Sequence, residues 1–433
     1  MQPAREPRRS LGLATTTSMV VGNIVGSGIF LLPAVLALYG LYSLWGWLFS
    51  TAGALVLAWV FSDLSRRAPR SGGPYAYARE AFGDFAGFLI GWMYWISIAA
   101  SVAAISVAFA SYLVPLLPAI GASPVDGAVA AIAASWLLTG VNIWGVRTAG
   151  RLQLLTVVLK LSPLLLLAVF GAVHFNPRLL ATREVAGSPF SAITTCAALT
   201  MWAFSGLECA TIPADRVQDP RRTIPRATIL GTLIAAVFYI ACTTVVMGMI
   251  PAPALAHSNA PFALAGRLLW GGAAGRVIAL TGAISCFGAL NGWILMSGQF
   301  AQAIAADDLF PKAFAREVRR GTPATGMVIG SLIATALIAM NYSGGLVRAF
   351  NIIILIATLF TLVPYMLSAL AQIVLARGST QRPRHIALAL LAFVFALWAA
   401  AGTGKDSLYW GMLVMLAGLP LYVWQKRNAA ARG

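Results

Sequence analysis

The chain has 433 residues, of which 59% are hydrophobic and 10% are charged, and its mean hydropathy is +0.82. An average soluble domain carries about 25% charged residues, so this chain lacks the polar surface that a soluble protein needs. The net charge of +17 would suit a nucleic-acid partner only if the basic residues formed one face, but they are scattered between apolar runs. The composition therefore predicts an integral membrane protein that contacts lipid and no nucleic acid.

The apolar runs predict twelve membrane-spanning helices, since each span needs about 20 apolar residues. The first run follows Arg5, Arg8 and Arg9 and is expected to be a retained helix rather than a cleaved signal peptide. In chain order, the predicted spans cover residues 11–38, 41–64, 85–114, 127–144, 152–173, 190–212, 227–250, 277–304, 326–340, 349–375, 386–401 and 408–424.

The Lys and Arg residues predict how these spans are oriented. With twelve spans, the segments on the side of the N-terminus hold 23 of them, the opposite segments hold 6, and Lys160 lies inside a span. Because cytoplasmic loops are enriched in Lys and Arg, both termini are predicted to be cytoplasmic. Most of the positive charge is then explained by topology and by contact with anionic lipid.

The sequence shows little sign of chemistry other than transport. The four cysteines lie in apolar segments without the paired spacing of a disulfide framework or a zinc site. The three histidines lie in loops or at span ends, and no Ser/His/Asp or His-Glu-x-x-His arrangement lies at membrane depth. We therefore expect no enzyme, no catalytic residue, no metal and no cofactor, and a channel is disfavoured because no filter motif is present.

Span 1 has three glycines within seven residues, Gly22, Gly26 and Gly28, which predict an interrupted helix. Each weakens a helix by about 1 kcal/mol relative to alanine. A break at membrane depth is tolerated only where protein or a water-filled cavity satisfies the backbone, so it indicates a site. Close packing of small residues is the alternative, but Asn23 and Ser27 add polar groups that packing does not require.

Span 6 carries Glu208 inside an apolar run. Burial of an ionised carboxylate in mid-membrane costs at least ~2.5 kcal/mol, so Glu208 is a functional candidate, with a structural hydrogen bond of the neutral acid as the alternative. Spans 1 and 6 are five apart, and interruptions at matching positions of two five-span halves are typical of inverted-repeat transporters. In such a transporter, half-helix N-termini bind anionic groups and freed carbonyls bind cationic groups, as an α-amino acid requires.

Several longer stretches resemble the amino acid/polyamine/organocation transporters, and within them the basic amino acid/polyamine antiporters. The likeness covers nearly the whole chain and is nearest to the arginine/agmatine antiporters. It rests on Gly22-Asn23-Ile24, Gly26-Ser27-Gly28, Phe30-Leu31-Leu32-Pro33-Ala34, Gly72-Gly73-Pro74-Tyr75-Ala76-Tyr77-Ala78-Arg79, Tyr94-Trp95, Gly206-Leu207-Glu208, Met247-Gly248-Met249-Ile250-Pro251, Gly292-Trp293 and Phe360-Thr361-Leu362-Val363-Pro364-Tyr365.

The resemblance implies an all-α membrane fold of the LeuT-like kind, with an inverted repeat of spans 1–5 and 6–10, interrupted spans 1 and 6, and two peripheral helices. Residues 1–433 then form a single transport domain. Repeat one covers about 11–173, repeat two about 190–375, and the peripheral helices about 386–424. The nearest resemblance forms homodimers, which implies a homodimer here.

The resemblance also implies individual site residues. The substrate-binding set is Asn23, Ile24, Ser27, Gly28, Ser97, Val102, Trp202, Ala203, Ser205, Trp293 and Ala357. The gating set is Tyr94, Trp202, Glu208 and Tyr365. In this scheme Ser27 and the Gly28 amide bind the carboxylate, the carbonyls of Ile24, Trp202 and Ser205 bind the α-amino group, and Trp293 stacks on the side chain. Trp202 closes the outer path, and the other three gating residues close the inner one. Core packing is the alternative role for either tryptophan.

The first departure from the arginine/agmatine antiporters concerns pocket polarity. Where those proteins have an asparagine and two serines, this chain has Val102, Ala203 and Ala357. A guanidinium has five donors, and each one left unpaired in a dry site costs about 1–3 kcal/mol. Arginine should therefore be penalised unless water or a nearby serine compensates.

The second departure is Lys160 in the middle of span 5, where the arginine/agmatine antiporters are apolar. In proton-coupled and heteromeric-type members of the superfamily, a lysine on span 5 occupies the space of a sodium ion. By resemblance, Lys160 would contact the carbonyl near Gly22 and a polar group such as Ser285. The candidates for proton or ion coupling are Lys160 and Glu208. A lysine that snorkels to the cytoplasmic interface is the alternative.

The sequence thus predicts a secondary transporter of the inner membrane that moves amino acids by alternating access. An amino acid/amine antiporter is favoured, with arginine/agmatine exchange as its most specific form and broader or more neutral substrates as variants. The alternative is a proton-coupled symporter of neutral amino acids that uses Lys160.

Overall fold

A computed structural model describes residues 11–26, 28–68, 72–144, 150–181, 188–211, 214, 217–318, 322–376 and 382–430, without the side chains of 150–160 and 428–430. In these ranges the α-helices are, in chain order, α1 (Leu13–Ile24), α2 (Gly28–Leu36), α3 (Tyr42–Arg67), α4 (Pro74–Phe82), α5 (Asp84–Leu113), α6 (Pro124–Trp144), α7 (Gly150–Gly171), α8 (Pro189–Ala203), α9 (Pro220–Met249), α10 (Ala252–Ala256), α11 (Pro261–Trp270), α12 (Gly272–Ala306), α13 (Lys312–Ala315), α14 (Ala324–Asn341), α15 (Leu346–Leu375), α16 (Arg382–Ala401) and α17 (Lys405–Ala430).

By length and composition, ten segments of the described residues qualify as membrane spans. They correspond to the predicted spans 1–4 and 7–12. The other two predicted spans correspond to α7 and to α8, which has only 15 residues before span 6 is interrupted. The protein is therefore an all-α multi-pass membrane protein, and the count of twelve spans stays a prediction.

The predicted interruption of span 1 is present. α1 ends at Ile24, and Val25 leaves helical geometry with φ −79° and ψ 62°. α2 then begins at Gly28. A Cβ atom at Gly28 would lie 3.3 Å from the Cα and Cβ atoms of Ala203, so the start of α2 packs directly against the end of α8.

Span 6 is interrupted beside span 1. α8 ends at Ala203, and a short 3₁₀ helix follows at Cys209–Thr211. Between them, Gly206 has a φ of +97°, which residues with a side chain rarely adopt. A Cβ atom there would lie 3.4 Å from the Cβ of Asn23. Glycine therefore permits both the turn and the close approach of the two interruptions.

α5 is the most buried of the ten candidate spans. In its most apolar stretch 89% of the residues are buried, against 11% in α17. α5 packs against α12, α14 and α15, whereas α3 packs against α8 and α9. The last helix, α17, lies at the periphery, where it contacts α5 and α15.

A buried polar cluster joins α16 to α3 and α15. The Asp63 Oδ2 atom accepts hydrogen bonds from Arg67 Nε at 2.7 Å and from Gln372 Nε2 at 3.0 Å. An Arg67 nitrogen lies 3.1 Å from His385 Nε2, and the His385 ring stacks on Trp59. No role was predicted for Asp63 from the sequence, and His385 was predicted only to lie in a loop or at a span end. Because both are buried and bonded, the cluster fixes where α16 packs.

Candidate functional site

A small cavity of about 10 Å³, roughly the space of one water molecule, lies between the two helix interruptions. Its lining consists of Asn23, Ile24, Gly28, Ile105, Trp202, Ala203, Ser205 and Trp293. Seven of these eight belong to the predicted substrate-binding set, and Ile105 does not. The structure thus gathers predicted residues of spans 1, 6 and 8 around one space, and their role in binding stays a prediction.

The ends of three short helices meet at this cavity. α2 presents its N-terminal end at Gly28, whereas α1 and α8 end at Ile24 and Ala203. A helix N-terminus carries partial positive charge, and a C-terminus carries partial negative charge. The cavity therefore offers one place that favours a carboxylate and two that favour an ammonium group, as in transporters with interrupted helices.

Tyr239 of α9 joins the two interruptions and was missed in the sequence analysis. Its hydroxyl donates to the Ile24 carbonyl and lies 3.2 Å from the Ala203 carbonyl oxygen. The ring is fully buried and stacks on Trp47, with centroids 5.2 Å apart. The only signal for Tyr239 in the sequence is a phenol inside an apolar run, which does not show where the hydroxyl points.

Two polar groups at the cavity lack partners among the described residues. They are the Trp202 indole nitrogen and the Ser205 hydroxyl, and both are buried. A buried polar group without a hydrogen bond costs about 1–3 kcal/mol, which a polar ligand would relieve. The Trp202 ring also packs edge-to-face on Phe350 of α15, with centroids 5.3 Å apart.

The predicted inner gating residues are in direct contact. Glu208 is fully buried. Tyr94 of α5 donates to its Oε1 atom, and Tyr365 of α15 donates to its Oε2 atom. We call Tyr94, Glu208 and Tyr365 the tyrosine clamp. Because one carboxylate binds both hydroxyls, the clamp holds α5 and α15 to span 6, and its gating role stays a prediction.

Three predicted substrate-binding residues are not among those that line the cavity. The Ser97 hydroxyl donates to the Ala357 carbonyl oxygen at 3.1 Å, across the contact between α5 and α15. The third, Val102, is buried on α5. Ser27 and the side chain of Lys160 lie outside the described residues, so the roles predicted for both stay predictions.

A chain of ion pairs lies outside the cavity, at the start of α5. Arg79 bonds Asp84 at 2.9 Å and Asp307 at 2.7 Å, and Lys426 bonds Asp84 at 2.8 Å. Burial and a hydrogen bond to Asp307 raise the pKa of the Tyr75 phenol above its usual range. Since these charges are one-third to one-half exposed, each pair contributes only ~0–1 kcal/mol.

Among the residues that the structure describes, no group of three or more His, Cys, Asp or Glu side chains is placed to hold a metal ion. The polar groups at the cavity are instead helix ends, one amide side chain, one hydroxyl and indole nitrogens. Such a set binds charged organic groups through dipoles and hydrogen bonds.

Comparison with known proteins agrees with this arrangement. The profile of a family described as amino acid permease matches residues 11–422. The putrescine transporter PotE of Escherichia coli K12 is 33% identical over 418 residues, which cover 95% of each chain. The cadaverine/lysine antiporter of the same organism is 34% identical over 421 residues, which cover 96% of this chain and 94% of the antiporter. PotE of Haemophilus influenzae is 31% identical over 425 residues, which cover 95% of this chain and 96% of that protein.

Proposed function

The chain belongs to the amino acid permease family, and from this premise we propose that it exchanges amino acids and amines that carry a primary ammonium group at the end of an alkyl chain. The family and its relatives are transporters, so the chain is a transporter and not an enzyme. Relatives named for putrescine transport and for cadaverine/lysine antiport support the amine class of substrate.

The observation that carries the proposal is the cavity between the interrupted helices. A carboxylate at Gly28 would face the positive end of α2, and an amino group at Ile24 and Ala203 would face the negative ends of α1 and α8. A second ammonium group would reach Trp293, where desolvated contact with an indole face is worth about 2 kcal/mol. A diamine would use only the two ammonium positions.

The apolar part of the lining favours an alkyl ammonium over a guanidinium. Ile105 and Ala203 line the cavity, while Val102 and Ala357 are buried nearby on α5 and α15. An ammonium group has three hydrogen-bond donors and a guanidinium has five. In this apolar lining a guanidinium would leave more donors without acceptors, and each unpaired donor costs about 1–3 kcal/mol of binding free energy. We therefore rank lysine and diamines above arginine and agmatine, which the sequence analysis held as the most specific form of the antiporter.

We also propose that the protein lies in the inner membrane with both termini in the cytoplasm. The support is the distribution of basic residues, 23 on the side of the termini and 6 on the other side. The tyrosine clamp then closes the cytoplasmic path, because Tyr94 and Tyr365 lie toward the cytoplasmic ends of α5 and α15. A homodimer remains an expectation from the family resemblance.

Counterflow into proteoliposomes tests the exchange. Vesicles are preloaded with lysine, cadaverine, putrescine, arginine or agmatine, and uptake of labelled putrescine and labelled lysine is followed. We expect uptake only into loaded vesicles, with lysine and the diamines more effective than arginine or agmatine. Vesicles without protein are the control.

Uptake into empty vesicles that is driven by a pH gradient would contradict exchange and support the proton-coupled alternative. In that case Lys160→Ala should abolish the uptake, because this alternative makes Lys160 the coupling group. Equal exchange with arginine and with lysine would contradict the ranking of substrates but not the antiport itself.

A further inference from the structure

α5 and α15 are joined by a buried contact between residues that do not line the cavity. The Ser97 hydroxyl donates to the Ala357 carbonyl oxygen at 3.1 Å and also lies within hydrogen-bond distance of the Thr361 hydroxyl. Thr361 donates to the same carbonyl at 2.9 Å. All three residues are between 0% and 3% exposed. We call Ser97, Ala357 and Thr361 the hydroxyl link.

The hydrogen bonds of the hydroxyl link connect α5 to α15. The Thr361 hydroxyl donates either to the Ala357 carbonyl of its own helix or to the Ser97 oxygen. The Ser97 hydroxyl donates either to that carbonyl or to the Thr361 oxygen, and both acceptors belong to α15. In each arrangement at least one buried hydrogen bond crosses from α5 to α15.

The link lies between the cavity and the tyrosine clamp. Along α5, Ile105 lines the cavity, Ser97 comes eight residues earlier, and Tyr94 comes three residues before Ser97. These separations are about 12 Å and 4.5 Å along the helix axis. On α15, Thr361 precedes Tyr365 by four residues, which places the two on one face of the helix. A substrate that leaves the cavity along α5 toward the clamp therefore passes the level of the link.

We propose that the hydroxyl link is an additional layer of the inner gate. It fixes the register of α5 against α15, so that Tyr94 and Tyr365 reach Glu208 together, and it opens before substrate leaves on this side. Ser97 and Thr361 are then positioning residues rather than substrate ligands. The inference rests on the proposed transport function, because a gate has meaning only for a carrier.

The structure offers a matched control on the same helix. Ser106 of α5 is also fully buried, but its hydroxyl donates within its own helix, to the Val102 carbonyl at 2.8 Å. Ser106→Ala thus removes one buried hydrogen bond while the contact between α5 and α15 is kept. Ser97→Ala removes the hydrogen bond between the two helices, whereas Thr361→Val removes only the second acceptor and leaves the Ala357 carbonyl available to Ser97. Both substitutions change the volume little.

Alkylation of a native cysteine reports opening without any substrate. Cys209 follows Glu208 and is 3% exposed. The purified proteins are treated with N-ethylmaleimide, and modification of Cys209 is followed by peptide mass spectrometry, with buried Cys242 as the reference for general unfolding. We expect about fivefold faster modification of Cys209 in Ser97→Ala, which corresponds to a loss of ~1 kcal/mol from the closed state. The increase should be smaller in Thr361→Val, in which Ser97 still donates to the Ala357 carbonyl.

The double variant should be no faster than Ser97→Ala, because that single variant already removes the hydrogen bond between the helices. Ser106→Ala should match the unchanged protein. Equal rates in all five proteins, or the same increase in Ser106→Ala, would overturn the proposal. A lower unfolding temperature without faster modification of Cys209 would also overturn it, because the link would then be structural only. Failure of the counterflow experiment would contradict the transport proposal separately, since alkylation needs no substrate.

Discussion

Gly206 is the residue at which the two helix interruptions depend on each other most directly. Its φ of +97° makes the turn after α8. A Cβ atom there would also lie 3.4 Å from Asn23 and 3.8 Å from the Trp293 ring. Both neighbours line the cavity, so a side chain at this position would extend toward the candidate site.

We expect Gly206→Ala to destabilise the fold by about 1–3 kcal/mol, because alanine is strained at this positive φ. Substrate affinity should fall as well, since the backbone must shift beside the cavity. Thermal unfolding and ligand-induced thermal shift measure the two effects. Gly288→Ala on α12 is the control, because a Cβ there meets nothing within 4 Å. Equal stability of the two variants would contradict the role given to Gly206.

Trp293→Ala should weaken ligands with a distal ammonium by about five- to thirtyfold, the equivalent of ~1–2 kcal/mol of cation–π contact. Norleucine, which has the chain of lysine without the ammonium, should lose much less. Competition in counterflow measures both affinities. Trp424→Ala, on the exposed side of α17, is the control. The same loss for lysine and norleucine would contradict stacking at Trp293.

For single residues, the sequence was most informative at polar side chains inside apolar runs. Asn23, Ser205 and Glu208 are of this kind, and their position at the helix interruptions could be predicted. The contacts of Ile105 and Tyr239 could not be predicted, because they depend on how far α5 and α9 are rotated about their axes. A single sequence does not define that rotation for a helix that is apolar on every side.

At the scale of elements, α16 shows how a helix at the edge of the bundle is held in place. Its apolar surface alone would allow it to slide along α3 and α15, because lipid covers such surfaces equally well. His385 and the Asp63–Arg67 pair add a directional contact at one end of the helix. The sequence could predict that α16 exists from its hydropathy, but the polar contact depends on residues more than 300 positions apart in the chain.

Asp63→Ala should lower the free energy of unfolding by about 1–3 kcal/mol, because it leaves Arg67 and Gln372 without their shared acceptor. Thermal unfolding in detergent measures this loss. Asp406→Ala, at an exposed position of α17, is the control and should change stability little. If both variants were equally stable, the polar cluster would not be what holds α16.

At the scale of the whole molecule, hydropathy predicted the order and approximate bounds of the helices well. It was least informative at span 6, where the interruption leaves α8 with 15 residues, fewer than a full membrane crossing needs. The predicted orientation rests on charge alone, since 23 of the 30 Lys and Arg residues lie on one side of the predicted spans.

The predicted orientation places both termini in the cytoplasm and the loop between α10 and α11 outside. Asn259→Cys in that loop should react with a membrane-impermeant maleimide in intact cells. Epitope tags at either terminus should become accessible to antibody only after permeabilisation. A tag that is accessible in intact cells would contradict the orientation, and so would a cysteine at 259 that reacts only after permeabilisation.

Two residues of the predicted gates, Trp202 and Glu208, contact the same helix, α15. Phe350 meets Trp202 near one end of α15, Tyr365 meets Glu208 fifteen residues further along, and the hydroxyl link lies between them. The Phe350 and Tyr365 contacts lie ~22 Å apart along α15. A rigid tilt of α15 about a point between them would open one contact and close the other. Mutual exclusion of the two openings, the property that separates a carrier from a leak, would then need no signal between distant regions of the protein.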